Sequence, residues 1–338
     1  MRRLQLAGVV LLVAAAASAL AAPRIALGSL LAAWWWALGI VLGCFVNAWM
    51  HVLTGGAWGI PVRDTAVALS RRVPWLLLGL VVAAATVTRL YPWAMQPAAE
   101  WTHGMASPGF VRAWLSTDFF IARLVIYGIG WWCVTRPASL RTKGRAAASM
   151  IVYAVLTTLA AVDLLMSLMP GWYSTAFGLI IMSTQALSGA ALVVLLAPRA
   201  LPVSRDLGNL LLMWCMSWGY LAFMQFLIIW AENLPREISW YVPRLQTGWA
   251  WIGIALVLVQ LVIPFLALLF RSVKDRPARL RVVALLLLAA TALDSAWTVL
   301  PSIDAHDLNA WWTAPLAMLG VGFLMFGGLG PESEAQHA

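Results

Sequence analysis

The sequence predicts an all-α polytopic membrane protein: ten transmembrane helices, arranged as two parallel four-helix bundles (helices 2–5 and 6–9) with helices 1 and 10 peripheral. Three observations predict it. Of 338 residues, 63% are hydrophobic and 10% charged, with a mean hydropathy of +0.87, outside the range of a soluble globular domain. Apolar runs of about 20 residues recur, the length that crosses ~30 Å of hydrocarbon as a helix. A short aspartate-to-proline motif also recurs, in the fifth and ninth runs. The runs lack the alternation of barrel strands, and backbone polar groups in lipid must be satisfied internally, so each run is read as a helix.

The first run, 4–22, follows Met1-Arg2-Arg3 and ends on Ala-Leu-Ala, imitating a secretory signal. A signal's apolar region is usually ~7–15 residues, so this longer run is expected to stay as a membrane helix. Run 26–53 contains Gly39-Ile-Val-Leu-Gly43, a small-xxx-small pattern for close helix packing rather than a phosphate loop. Runs 73–91, 118–135 and 146–168 follow, the fourth carrying Arg123 and the fifth Asp163. Runs 175–197, 207–231, 246–270, 281–299 and 310–328 complete the set, with Asp294 in the ninth. The longest connection, 91–117, is too short for a separate soluble domain, so residues 1–338 form one integral membrane domain.

Orientation follows from Lys and Arg. With ten helices, sixteen basic residues fall on one side, among them Arg63, Arg71, Arg72, Arg141, Lys143 and Arg281. Five fall on the other (Arg24, Arg89, Arg112, Arg236, Arg244), and Arg123 lies inside a helix. The positive-inside rule then places both termini in the cytoplasm. The net charge of +9 is topological, and no nucleic-acid partner is implied. The outer side instead concentrates Trp93, Trp101, Trp114, Trp172, Trp240, Trp249, Trp311 and Trp312, which read as interfacial anchors in contact with membrane lipid.

Cys44, Cys133 and Cys215 stand singly, with no CxxC, so neither an iron–sulfur nor a zinc site is encoded. Among His51, His103, His306 and His337 only His51 is near a helix interior, which leaves no facing pair to hold a haem. No cofactor is expected on this chain.

What remains is a set of polar groups at membrane depth, where a charge costs roughly 2.5–3.5 kcal/mol on insertion scales and usually faces protein or water. Asp163 is seven residues before Pro170 and Asp294 seven before Pro301, each about 10 Å inward at 1.5 Å per residue. Arg123 lies at similar depth in the neighbouring helix 4. Two readings stay open: an Arg123–Asp163 ion pair, or two aspartates titrating on an outward proton or quinone-linked path. Asp294 has no evident cationic partner and is the stronger functional candidate. AVDLLMSLMP (161–170) aligns with ALDSAWTVLP (292–301) at Ala, Asp and Pro, in helices of the same direction four apart. That match suggests two repeats, 26–170 and 171–301.

Helix 7, after a capping Asp206, carries Ser217, Tyr220 and Gln225, with Glu232 at its outer end. Ser217 and Tyr220 share a face, whereas Gln225 lies well round from Tyr220. Interhelical hydrogen bonding accounts for such a set, and Tyr220, Gln225 and Glu232 are also candidates for a proton path. Asn47 and His51, one turn apart near the cytoplasmic end of helix 2, are candidates for its inner entry.

Several segments together resemble one family: WMHVLTGGAWG, LYPW, DFFIARLVIYG, DLLMSLMPGWYST, RDLGNLL and YLAFMQFLIIWAENLPREISWY. From about residue 34 to about 301 they are similar, in order, to the ActF-type membrane subunit of bacterial alternative complex III, a relative of NrfD and polysulfide-reductase membrane subunits. The resemblance implies a cofactor-free, non-catalytic subunit of a quinol:cytochrome c or quinol:oxidase oxidoreductase in a bacterial inner membrane, giving structural support and a proton path. Its implied partners are an NrfD-like quinol-binding membrane subunit and multihaem cytochrome c and iron–sulfur subunits, which bring haem c, iron–sulfur clusters and quinol. The chain departs from the family where DPHW commonly precedes the YST segment, since it has Met169-Pro170-Gly171-Trp172, and where HDLGK is common, since it has Arg205-Asp206-Leu207-Gly208-Asn209. Both changes remove titratable groups. The alternative from another class is a stand-alone ion-coupled transporter whose pseudo-symmetric aspartates hold the coupling ion.

Overall fold

A computed structural model describes residues 2–102, 105, 107–198 and 202–327. His103, Arg199, His337 and the 331–334 tail lie outside the described residues. Those residues form α-helices, short 3₁₀ turns and one π-helical segment, with no strand among them.

Nine helices among the described residues are long and apolar enough to cross a membrane, and a tenth apolar helix has 17 residues. We label the ten in chain order: α1 Arg2–Ala17, α2 Pro23–Thr54, α3 Val73–Leu90, α4 Thr117–Val134, α5 Lys143–Leu164, α6 Phe177–Leu196, α7 Ser204–Glu232, α8 Trp249–Leu269, α9 Pro277–Val299 and α10 Ala310–Phe326. The chain is thus multi-pass by length and hydropathy. A twelve-residue helix, Gly59–Ser70, joins α2 to α3, and shorter helices occupy the 91–117 connection.

Local chemistry sets many of these ends. Pro23 and Pro277 open α2 and α9 from the first turn, where the missing N–H costs nothing. The Thr142 hydroxyl accepts from the Arg145 amide at 3.3 Å and caps α5. Gly55 and Gly56, at φ 78° and 114°, stop α2 in conformations that favour glycine, and Asn233 at φ 49° stops α7.

Helix α8 is not uniform. Residues Val257–Val262 are π-helical just before Pro264. A proline cannot donate to the carbonyl four residues earlier and its ring crowds it, so the helix widens there and frees the Gln260 carbonyl. The Cys215 thiol of α7 donates to that carbonyl at 3.0 Å, satisfying it without water.

Helix α2 is the structural axis, buried along most of its length and touching α3, α5, α6, α9 and α10. Gly43 of α2 and Gly189 of α6 lie so close to the opposite backbone that a Cβ at either would overlap main-chain atoms. Asn47 fastens this crossing: its amide donates to the Gly43 and Ala186 carbonyls at 2.8 and 2.9 Å, and its oxygen accepts from Trp214 of α7 at 2.8 Å. On one side of the axis α3 packs on α4, α4 on α5 and α5 on α2. On the other, α6 packs on α7, α7 on α8, α8 on α9 and α9 on α6. Helices α1 and α10 pair, and α10 rests on α2.

The outer tryptophans depart from the expected interfacial belt. Trp93, Trp172, Trp240 and Trp249 are buried, and their indole N–H groups or rings engage protein. Trp172 donates to the Glu237 carbonyl at 3.0 Å and stacks on Trp240 at 5.1 Å. These rings fill the packing between loop and helix ends. Trp311 and Trp312 remain half-exposed.

Candidate functional site: two unequal aspartates

Both aspartates sit near the ends of helices that tighten into a 3₁₀ turn, Met166–Leu168 after α5 and Leu300–Ser302 after α9. Their surroundings differ in kind.

Asp163 is fully buried and held from every side. Arg123 of α4 donates to it through Nε (2.6 Å) and Nη2 (3.1 Å), Trp114 donates to Oδ1 at 2.9 Å, and the Tyr127 hydroxyl donates to Oδ2. The Arg123 guanidinium also lies over the Trp114 and Phe119 rings at 4.3 and 4.5 Å. A two-pronged Arg–carboxylate contact is the strong form of a charge-assisted hydrogen bond. With four donors on two oxygens, Asp163 is a clamp that ties α4, α5 and the preceding loop together. Ser167, which donates back to the Asp163 carbonyl and accepts from Trp93 at 3.2 Å, extends it.

Asp294 is 7% exposed and has no cation partner among the described residues. Thr184 of α6 donates to its Oδ2 at 3.0 Å. Trp218 of α7 and Gln260 of α8 line the same corner. The Gln260 amide is oriented so that its nitrogen donates to the Ala290 carbonyl and its oxygen accepts from Trp218 Nε1, each at 3.1 Å. The π segment of α8 carries Gln260 into this corner.

Asp294 lines two cavities. One is a cleft of ≈330 Å³ among α6, α7, α8 and α9, mostly apolar, with Gln225, Tyr241 and Thr298 among its polar lining. Its lining residues Phe223, Ile254 and Val257 are about half-exposed, so it opens sideways between α7 and α8. The other is an inner cavity of ≈20 Å³ among α2, α6 and α9, whose polar lining is Thr184, Gln185, Ser188, Thr291, Ser295 and Thr298 beside apolar residues such as Leu165 and Ile181. The carboxyl group therefore stands between a lipid-facing cleft and a polar interior.

The remaining candidates divide. Gln225 is buried, accepting from Ser174 at 2.7 Å and donating to Tyr241 at 3.4 Å, at the edge of the cleft. Tyr220 points outward, 63% exposed, and Glu232 is exposed at the end of α7; neither side chain reaches Asp294. Asn47 is consumed in the α2–α6–α7 crossing. His51 bonds the Gly56 carbonyl through Nε2 at 3.0 Å, packs on Trp58 and lines a cavity of ≈320 Å³ with Arg63, Asp64 and Arg141. No hydrogen bond joins Asn47 to His51. Burial raises the Asp64 carboxyl above its ordinary range, against the opposing charge of Arg63.

One functional-looking residue escaped sequence reasoning. Arg244 counts there as an outer-loop charge, yet it is fully buried. It donates to the Trp297 and Thr298 carbonyls at 3.2 and 2.6 Å, to Ser302 and to the Trp240 carbonyl, and lies over the Trp240 ring at 3.6 Å. It neutralises the orphan carbonyls at the end of α9, one turn beyond Asp294. No short motif announces such a cap; only the basic residue among aromatics in WYVPRLQ hints at it. No family model matches the chain, and no curated protein matches it.

Proposed function

We propose that this chain is a cofactor-free, non-catalytic membrane subunit of a quinol:cytochrome c or quinol:oxidase oxidoreductase of the alternative complex III type. It gives structural support and handles protons at Asp294. The observation that carries the proton role is the contrast between the aspartates: Asp163 is saturated by Arg123, Trp114 and Tyr127, whereas Asp294 has only neutral neighbours (Thr184, Gln260 and Trp218), no cation partner among the described residues, and access to two cavities. An intramembrane carboxyl group without a paired charge is costly to keep, which makes it a functional-site candidate. The quoted motifs, in order over most of the chain, support the family reading. The packing α2–α3–α4–α5 and α6–α7–α8–α9 supports two repeats, 26–170 and 171–301, meeting at the α2–α6 crossing, with α1 and α10 outside them.

In this reading the complex lies in a bacterial inner membrane, with both chain termini cytoplasmic. Electron carriers and the quinol site belong to the partners: an NrfD-like membrane subunit, a multihaem cytochrome c and an iron–sulfur subunit. Within this chain, Asp294 takes up and releases a proton; Thr184 holds one carboxyl oxygen, and Arg244 caps the end of α9. Purification of the C-terminally tagged protein from native membranes tests the assignment. Co-purifying c-type haem and iron–sulfur subunits, seen by visible spectra and mass spectrometry, are the expected result. A colourless chain without partners contradicts it and favours an ion-coupled transporter using the same aspartate.

A further inference from the structure

The inner cavity beside Asp294 has an unusual polar inventory. Thr298 also lines it, and the four other lining hydroxyl groups have committed hydrogens: Thr184 to Asp294 Oδ2, Ser188 to the Gln185 carbonyl, Thr291 to the Leu288 carbonyl and Ser295 to the Ala32 carbonyl. What these groups offer the cavity is oxygen lone pairs. Gln185 differs. It is 3% exposed, its Oε1 accepts from the Tyr153 hydroxyl at 2.8 Å, and its Nε2 is buried with no hydrogen-bond partner. Leaving such a donor unpaired in a buried site is costly. The Tyr153 bond fixes which end of the amide faces α5, and so turns the N–H₂ end away from it.

The Gln185 N–H₂ group, one carboxyl group and several hydroxyl oxygens around ≈20 Å³ match one molecule that can both accept and donate. A water needs about 10–15 Å³ of such space and two to four polar partners. A metal cation would meet the Gln185 N–H₂ rather than an oxygen, which disfavours a coupling-ion site here.

We propose that Gln185 holds a single structural water against Asp294, accepting from Gln185 Nε2 and donating to the carboxyl group. Gln185 and Tyr153 are then positioning residues for Asp294. Tyr153 belongs to α5, the helix of Asp163, so the arrangement ties the second aspartate to the first half of the chain across the α2–α6 crossing. The water site stands on the cavity alone; its part in proton handling rests on the function proposed above.

A map of the intact protein in lipid nanodiscs, at a resolution that shows buried waters, tests the site. The expected result is one water-sized density within about 2.7–3.2 Å of both Gln185 Nε2 and an Asp294 oxygen. No density there, in a map with other buried waters, overturns the proposal. So does a density ringed by oxygens at about 2.3–2.6 Å, the mark of a bound cation. The wild-type map decides without relying on the folding of any variant. A second readout is the infrared carboxyl band of Asp294, assigned by its disappearance in Asp294→Asn. Tyr153→Phe, two residues removed from the carboxyl group, should shift that band to higher frequency as the water loses its oriented donor; an unmoved band contradicts the positioning role. Neither readout uses quinol chemistry. Failure here leaves the assignment of the chain to a respiratory complex untouched, and failure of that assignment leaves the water site standing.

Discussion

Asp163 and Asp294 are the same chemical group at counterpart places, and their neighbours set different costs on changing them. Arg123→Ala leaves the Asp163 carboxylate buried with its cation gone, and removing one member of a buried pair typically costs about 3–5 kcal/mol. A large drop in thermal midpoint and in yield from detergent is expected. Asp294→Asn keeps the side-chain shape and can still accept from Thr184, so its midpoint is expected near wild type. Thermal unfolding followed by tryptophan emission compares the two. Equal destabilisation by both would place Asp294 in the same structural class as Asp163. The charge pair itself was legible from depth and adjacency in the sequence. Its saturation was not, because Trp114 and Tyr127 look like ordinary interfacial and lipid-facing aromatics until the loop folds over α4.

At the scale of elements, the decisive contact is glycine against backbone. A side chain at Gly189 meets the main chain of Gly43 and Cys44, which cannot turn aside, so Gly189→Leu is expected to force α2 and α6 apart and abolish a monodisperse elution peak. Gly109→Ala, where nothing lies within contact distance, should elute like wild type. Gly39-Ile-Val-Leu-Gly43 made one half of this crossing readable; its partner Gly189, within QALSGAALVV, has no such spacing to mark it. Rotation about a helix axis was harder to read. All-round apolar helices carry little periodic signal, which is why Tyr220 faces outward and Gln225 inward without a sequence cue. The π segment is explained by Pro264 afterwards, but a proline in an apolar run specifies a break, not the turn type that results.

A second element-scale expectation concerns the exposed Arg205–Asp275 pair, joined by bonds of 2.8 and 2.9 Å between the start of α7 and the loop before α9. Those bonds hold the Asp275 carboxyl below its ordinary range. The folded form therefore binds this proton less readily than the unfolded form. The pair's contribution is complete above the ordinary carboxylate range and disappears as pH falls through the lowered folded-state value. Because the pair is exposed, its contribution is small and screened by salt. Arg205→Ala should lower the midpoint slightly at neutral pH and low salt, and not at all in strong acid or about 1 M salt, where the screening length is ~3 Å. A midpoint difference that persists under both conditions would mean Arg205 acts otherwise.

The whole molecule joins a rigid axis to one compliant corner. Helix α2, the glycine crossing, the Asp163 clamp and the Arg244 cap hold the helices in place, and Asp294 stands within them beside two cavities. Composition, apolar run length and arginine asymmetry are whole-chain sums, so the class of the protein was readable before any contact was known. The proton role proposed for Asp294 rests on where two cavities meet, which no one-dimensional pattern records. The most direct measurement is proton release per electron by the co-purified complex in liposomes, for wild type and Asp294→Asn, with quinol oxidation followed in the same samples. The variant is expected to assemble, keep oxidising quinol, and release fewer protons per electron. Normal assembly with unchanged oxidation and unchanged proton release would contradict the proton role.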